Sequence, residues 1–262
     1  MKILLSISFV LMLTGNALYA GTGKGEPFGN KRFYASWGYS RGWFSPSDLY
    51  FKGTLNDKNY ELKVHKAKAH DRPDFNHILP QITIPQFNAR FGYVFNKIKG
   101  FAIELNYDHA KYVVTDYQTA DVTGYYGERQ YDGNTVLAPD TFLHFEHTNG
   151  ANYWMLNFVY CRTIIAKRNM SFCALFKAGE GILIPKTDVT LFGQRFDNKF
   201  HVAGNITAAE VGLRLNIRKT LYIEPAFKYA FCNYSKVLTV GDGTAHHKFR
   251  TAQIIFSVGA RF

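Results

Sequence analysis

Cysteine is scarce in this chain: Cys161, Cys173 and Cys232 are all there are. Three scattered cysteines cannot build a disulfide scaffold, and they lack the paired spacing of a zinc site. Long apolar runs are missing too. Beyond the first twenty residues no stretch of eighteen apolar residues occurs, which excludes a membrane-spanning helix. Acidic residues are in the minority, 20 against 31 Lys and Arg, for a net charge of +11. That balance suits an anionic partner, yet no segment matches a nucleic-acid-binding module, so no nucleic-acid partner is read. Nine histidines are spread along the chain without ligand spacing, so no metal and no cofactor is expected.

What the chain does have is a leader, aromatic residues and alternation. Lys2 precedes the apolar run Ile3 to Leu13, and Ala17-Leu18-Tyr19-Ala20 offers a cleavage site, so residues 1–20 read as a signal peptide and the mature chain leaves the cytoplasm. Phe, Trp and Tyr make up 16% of the sequence although its mean hydropathy is only −0.18. At the other end Ala252, Ile254, Phe256, Val258, Ala260 and Phe262 fall on one face of a strand, with Gln253, Ser257, Gly259 and Arg261 on the other. Period two with one greasy face fits a strand between lipid and a polar lumen. It also fits the core strand of a soluble sandwich or lipocalin-like barrel.

Link lengths separate the two. Alternating strands are predicted at Arg32 to Ser40, Gln86 to Phe95, Phe101 to Ala110, Asn152 to Ile164, around Phe172 to Ala178, Ala209 to Ile217, Leu221 to Cys232 and at the C-terminus. That is about eight. The links at 96–100, 166–169 and 218–219 are short; those at 41–81, about 115–150, about 185–200 and 235–247 are long. Short links at one end and long ones at the other are the pattern of a transmembrane barrel with periplasmic turns and extracellular loops. Within 41–81 a hairpin turning at Asn56-Asp57-Lys58-Asn59 is read as external; were it to span, the barrel would have about ten strands. Inward parity falls on Arg32, Arg90 and Arg214 and on Glu104, Asp108, Glu210 and Glu224. In a narrow barrel these are expected to pair and fill the lumen.

Taken together these features resemble the small outer-membrane β-barrel proteins of Gram-negative bacteria. Segments such as Trp37-Gly38-Tyr39, Ala69-His70-Asp71-Arg72-Pro73, Ile84-Pro85-Gln86, Asp108-His109-Ala110-Lys111-Tyr112 and Glu146-His147-Thr148-Asn149-Gly150 look like those of a group of bacterial surface proteins that brings a barrel but no established activity. The resemblance implies an all-β antiparallel barrel over 31–262, a signal peptide over 1–20 and a short periplasmic segment over 21–30. It also implies residence in the outer membrane among its lipid and lipopolysaccharide. Terminal Phe262 would be part of the signal read by the barrel-assembly machinery.

Four groups of residues are candidates for chemistry. His144, Glu146 and His147, placed at the outer end of the fifth strand, faintly resemble the His-x-Ser-Asn motif of lipid A deacylases, but His147-Thr148-Asn149 lacks its serine and its spacing. His70 and Asp71, with His77 nearby, resemble the acidic and histidine residues of omptin proteases; the plainer reading is a loop stapled by Asp71 and Arg72. Lys111 stands where the third predicted strand leaves the membrane and would reach lipid phosphate. His201, His246 and His247 are too dispersed to make a ligand set. Cys161 and Cys173 share inward parity and are read either as facing each other across a hairpin or as two small lumen residues. The expected role is structural or interactive at the cell surface. A rim enzyme, either a lipid A-modifying hydrolase or an omptin-like protease, is the alternative, and a small-solute pore is third.

Overall fold

The computed structural model describes residues 27–73, 83, 85–218 and 220–262. The expected leader, Asp74, His77 and Lys219 lie outside the described residues. Among the described residues seventeen strands follow one another: β1 (Phe33–Phe44), β2 (Ser47–Leu55), β3 (Lys58–Ala67), β4 (Ala69–His70), β5 (Phe87–Asn96), β6 (Phe101–Asp108), β7 (Tyr112–Val114), β8 (Thr119–Tyr126), β9 (Arg129–Val136), β10 (Leu143–His147), β11 (Tyr153–Lys167), β12 (Met170–Leu183), β13 (Asp188–Leu191), β14 (Gln194–Asp197), β15 (Gly204–Ile217), β16 (Leu221–Leu238) and β17 (Thr244–Arg261).

Eight of them close a ring. Antiparallel pairing runs β1, β5, β6, β11, β12, β15, β16, β17 and returns to β1, where Tyr34 faces Arg261 and Trp37 faces Val258. Closure leaves no unpaired edge in the wall. The wall is greasy outside and charged inside. Phe91, Leu105, Leu156, Val211, Ile254, Phe256 and Val258 are each 47–59% exposed, whereas Arg90, Glu104, Asp108, Lys177, Arg214 and Lys228 are buried. Aromatic rings bracket the aliphatic zone. Phe33, Tyr93, Phe95, Phe101 and Phe262 cluster toward the short-turn end, and Trp37, Phe87, Tyr107 and Trp154 stack toward the other. An apolar band between two aromatic girdles is the surface a barrel presents to a bilayer. The ring is therefore a transmembrane β-barrel of eight strands. The hairpin β2–β3, whose tip Asn56-Asp57 adopts positive φ at both residues as a tight turn requires, is not part of it.

The long links do not remain loops. A spanning strand needs only ~9–11 residues, but β16 and β17 are 18 each. Their surplus rises above the lipid. There the Thr244–His247 stretch of β17 pairs with β2, which continues through β3 and β8 to β9. A second sheet starts where Trp43 of β1 meets His70 of β4 and runs through β7, β10 and β13 to β14. The two sheets bury one apolar core between them, including Leu49, Phe51, Leu62, Val64 and Val122 from the first and Val114, Leu143, Phe145, Val189 and Leu191 from the second. The long external links expected from the sequence thus fold together into a cap on the barrel.

At the opposite end the segment before β1 also turns inward. Phe28 is buried and stacks on Tyr34 at 5.5 Å, and the Pro27 carbonyl accepts a hydrogen bond from Asn216 Nδ2 at 3.1 Å. Pro27 and Phe28, the described start of the segment expected as a short periplasmic lead-in, thus floor the barrel. Tyr34 can reach across only because Gly92 faces it on β5: a Cβ at Gly92 would stand 2.0 Å from the tyrosine ring.

Candidate functional site

Two places bring functional side chains together: the lumen and the cap just above it. In the lumen four cations (Arg90, Lys177, Arg214, Lys228) interlock with four carboxylates (Glu104, Asp108, Glu210, Glu224). Lys177 is the hub: its Nζ lies 3.2 Å from Glu104, 3.1 Å from Glu210 and 2.7 Å from Glu224. Arg90 holds Asp108 at 2.6 Å and approaches Glu104 and Glu210. Lys228 binds Asp108 at 2.6 Å and the Asn106 amide oxygen at 2.7 Å. Arg214 grips Glu224 and is boxed by Phe28, Tyr34 and Tyr222 at 4.2–5.2 Å. These eight charges sum to zero, so burial of each is offset by direct partners.

Of the residues expected in this network, Arg90, Glu104, Asp108, Glu210, Arg214 and Glu224 lie in it, and Arg32 does not. Arg32 is exposed, one residue before β1 begins, and among the described residues its guanidinium reaches the Val94 carbonyl at 3.5 Å. Inward parity has no meaning past the end of the wall. Lys177 and Lys228 were readable as inward by the same parity, though only their contacts reveal that they complete the balance. Cys161 and Cys173 are buried and free. They are offset along the hairpin, with Cys161 opposite Leu175 and Cys173 opposite Thr163, because the turn closes on Arg168-Asn169.

In the cap, His144, Glu146 and His147 belong to β10, a short strand between β7 and β13, and not to the end of a barrel strand. His144 and Glu146 share one face. His144 Nδ1 lies 2.8 Å from Asp116, its Nε2 3.3 Å from Glu146, and Glu146 also takes Arg72 at 2.9 Å and the Thr148 hydroxyl. The Glu146 hydrogen bond, with Asp116 behind it, lifts the His144 imidazole to about 9 against the cost of partial burial. Burial pushes Glu146 up, but His144, Thr148 and Arg72 outweigh it and hold its carboxyl below the usual range. An imidazolium between two carboxylates has no lone pair with which to activate Thr148.

His147 faces the other way into the aromatic core. Its ring is fully buried, with Nε2 3.3 Å from His247 Nε2 and Nδ1 2.9 Å from the Thr187 hydroxyl; Tyr112, Phe145 and Tyr234 enclose the pair. Burial holds the His147 imidazole well below its ordinary value, so it is neutral. The other expected histidines stand apart: His246 stacks on Tyr50, and His201 bonds the Lys236 carbonyl. Among the described residues no three His, Cys, Asp or Glu side chains are grouped as metal ligands.

Asp71 is bound by Arg41 at 2.8 and 3.2 Å, by the Gly42 amide at 2.8 Å and by Gln86 at 3.1 Å. Burial raises its carboxyl, but Arg41, Gly42 and Gln86 leave it below the ordinary value. The expected Asp71–Arg72 staple is therefore replaced by Asp71–Arg41, and Arg72 turns to Glu146. His70 bonds the Asp71 carbonyl at 2.8 Å. Lys111, expected to reach lipid phosphate, is instead only 6% exposed, beneath the cap where its amide donates to Gln86. Phe262 faces outward at the short-turn end, its backbone paired in both directions with Phe33.

No protein-family model matches the chain, and no curated protein matches it. Similar solved structures include Ail, the attachment invasion locus protein of Yersinia pestis, at 15% identity over 88% of this chain and 99% of that one, TM-score 0.34. Neisserial surface protein A is 10% identical over 88% and 97%, TM-score 0.37. The outer membrane protease OmpT of Escherichia coli is 8% identical over 92% and 100%, TM-score 0.39. All three are Gram-negative outer-membrane β-barrels. At such scores the fold is defined by this chain's own strand pairing, and the activities of those proteins are not carried over.

Proposed function

We propose that this protein is an outer-membrane anchor whose barrel holds a rigid β-cap at the cell surface, with a structural or interactive role. The observation that carries this reading is the double closure. Eight interlocked charges fill the lumen, Phe28 floors it, and the two-sheet core roofs it. A barrel of eight strands has an interior just wide enough for side chains to fill. Among the described residues, cap strands β9 and β14 each pair on one side only, which leaves backbone edges and exposed side chains such as Tyr117, Arg129 and Phe196 for contact. Purified protein in planar bilayers is expected to be electrically silent; discrete steady conductance overturns the reading in favour of a pore. The rim-enzyme alternative has its own test. Mass spectrometry of lipid A from cells expressing the parent and the His147→Ala variant is expected to show the same species in both, and a parent-specific loss of acyl chains would restore the hydrolase.

A further inference from the structure

The outer face of β15, β16 and β17 changes character just above the apolar band. Climbing β17, the outward residues are Val258, Phe256, Ile254 and Ala252, then Arg250 and Lys248. The pairing register sets these two cations in rows with uncharged neighbours: Thr207, Phe231 and Arg250 in one, Asn205, Asn233 and Lys248 in the next. Ser45, from the link between β1 and β2, closes the far side. Its amide donates to the Arg250 carbonyl at 2.9 Å, and its hydroxyl accepts from the Arg250 amide at 3.0 Å. The result is a groove of about 520 Å³ lined by Ser45, Asn205, Phe231, Asn233, Lys248 and Arg250, among others.

Three properties select an occupant. No carboxylate lines the groove, and among the described residues neither Lys248 nor Arg250 makes an ion pair; Arg250 rests over the Phe231 ring at 5.8 Å. Residues two apart on one strand face stand roughly 6.5 Å from each other, a span over which two flexible cationic side chains converge on one phosphate group. Asn233 Nδ2 donates to Asn205 Oδ1 at 2.9 Å, which leaves the other ends of both amides for hydroxyls. Directly below, Phe231 is 54% exposed and continuous with the apolar face of Tyr229 and Phe227 on β16. Cationic and amide groups thus stand side by side at the top of the groove, with Arg250 and the apolar ring of Phe231 one row below and hydrocarbon beneath them.

We infer that this groove binds the headgroup of a phosphorylated glycolipid of the outer leaflet, with Lys248 and Arg250 on the phosphate, Asn205, Asn233 and Ser45 on the sugar and Phe231 at the start of the acyl chains. The inference rests on the membrane placement of the barrel and not on what the cap contacts, so a conducting barrel would overturn the earlier reading and leave this one standing. The test is native mass spectrometry of full-length protein released from nanodiscs containing lipid A and phosphatidylglycerol. The parent is compared with Lys248→Gln/Arg250→Gln and with the charge-matched Lys52→Gln/Lys58→Gln on the cap. The parent and the cap variant are expected to retain lipid A, and the groove variant at least tenfold less, with heat-modifiable gel migration unchanged in all three. Dephosphorylated lipid A is expected to be retained as poorly by the parent as lipid A is by the groove variant. Equal retention by parent and groove variant overturns the proposal. So does equal retention of the dephosphorylated lipid, a preference for phosphatidylglycerol, or displacement of lipid A by millimolar inorganic phosphate.

Discussion

Replacing Lys177 with methionine removes the cation on which three carboxylates converge. Methionine preserves much of the volume, so the perturbation is electrostatic. Glu104 keeps the Tyr34 hydroxyl at 3.0 Å and Arg90 at 3.6 Å, Glu224 keeps Arg214, and Glu210 is left with Arg90 at 3.5 Å and Lys228 at 3.7 Å. The eight interlocked groups pass from neutral to one net negative charge, all of it on buried side chains. Breaking a buried ion pair by deleting one partner costs about 3–5 kcal/mol, and a hub with three partners belongs at the upper end. The assay is equilibrium urea unfolding from liposomes followed by the fluorescence of Trp37, Trp43 and Trp154. Lys177→Met/Glu104→Gln restores neutrality, and it should recover more than half of the loss because Tyr34 can still donate to the amide oxygen. A single variant within about 1 kcal/mol of the parent, or a double variant no more stable than the single, would refute the account of the lumen as a charge-balanced plug.

Further outcomes follow from the cap and the wall. His144 has its imidazole raised from 6.5 to about 9, so its stabilising effect is complete below pH 6.5 and fades as pH climbs through 9. At about 1.4 kcal/mol per pH unit, discounted for an Asp116 partner 36% exposed, the loss is about 1–2 kcal/mol. The protection of β10 amides, with the base-catalysed intrinsic exchange rate divided out, should fall between pH 7 and 9.5 in the parent and not in His144→Gln. His147 has the opposite sign: its proton affinity is lowered in the folded cap, so stability is lost as pH falls below 6.5, by about 1.4 kcal/mol per unit. Limited proteolysis should therefore find the cap more cleavable at pH 5 than at 7.5, and equal rates would contradict its neutral burial. Gly92→Ala places a methyl against the Tyr34 ring and should cost about 1–3 kcal/mol in the same urea assay; a neutral result would mean Tyr34 does not cross the barrel.

The barrel was legible because each strand's faces meet different media. The period of two in Gln86 to Phe95 and in Leu221 to Cys232 records lipid on one side and ions on the other, and parity alone sorts Arg90, Glu104 and Glu224 inward. Parity failed at Arg32 because it carries no information about where the wall stops. It failed at Lys111 because a residue beyond β6 no longer faces lipid once a cap covers it. The cap itself was hidden for a different reason. Its strands are short, β10 being five residues, and they pair with partners far along the chain, as Tyr60 does with Tyr126 and Phe145 with Val189. No local pattern encodes such pairings. The meeting of His147 and His247, a hundred residues apart, is of this kind, as is the exchange of Asp71 from Arg72 to Arg41. The Lys248–Arg250 groove needs three strands in register before its residues become neighbours.

The distribution of ions along the chain has a bearing on biogenesis. Strands β15 and β16 carry Glu210, Arg214, Glu224 and Lys228, which cancel within one hairpin, and the part of β17 that crosses lipid adds only Arg261 at its rim. The β5–β6 hairpin holds Arg90 against Glu104 and Asp108, one negative charge in excess, while β11–β12 brings Lys177 alone. The carboxy-terminal third is thus electrically self-sufficient in hydrocarbon, and the two middle hairpins are admissible only as a couple, joined along the β6–β11 seam. Insertion that starts from the end of the chain meets no stranded ion until that couple arrives.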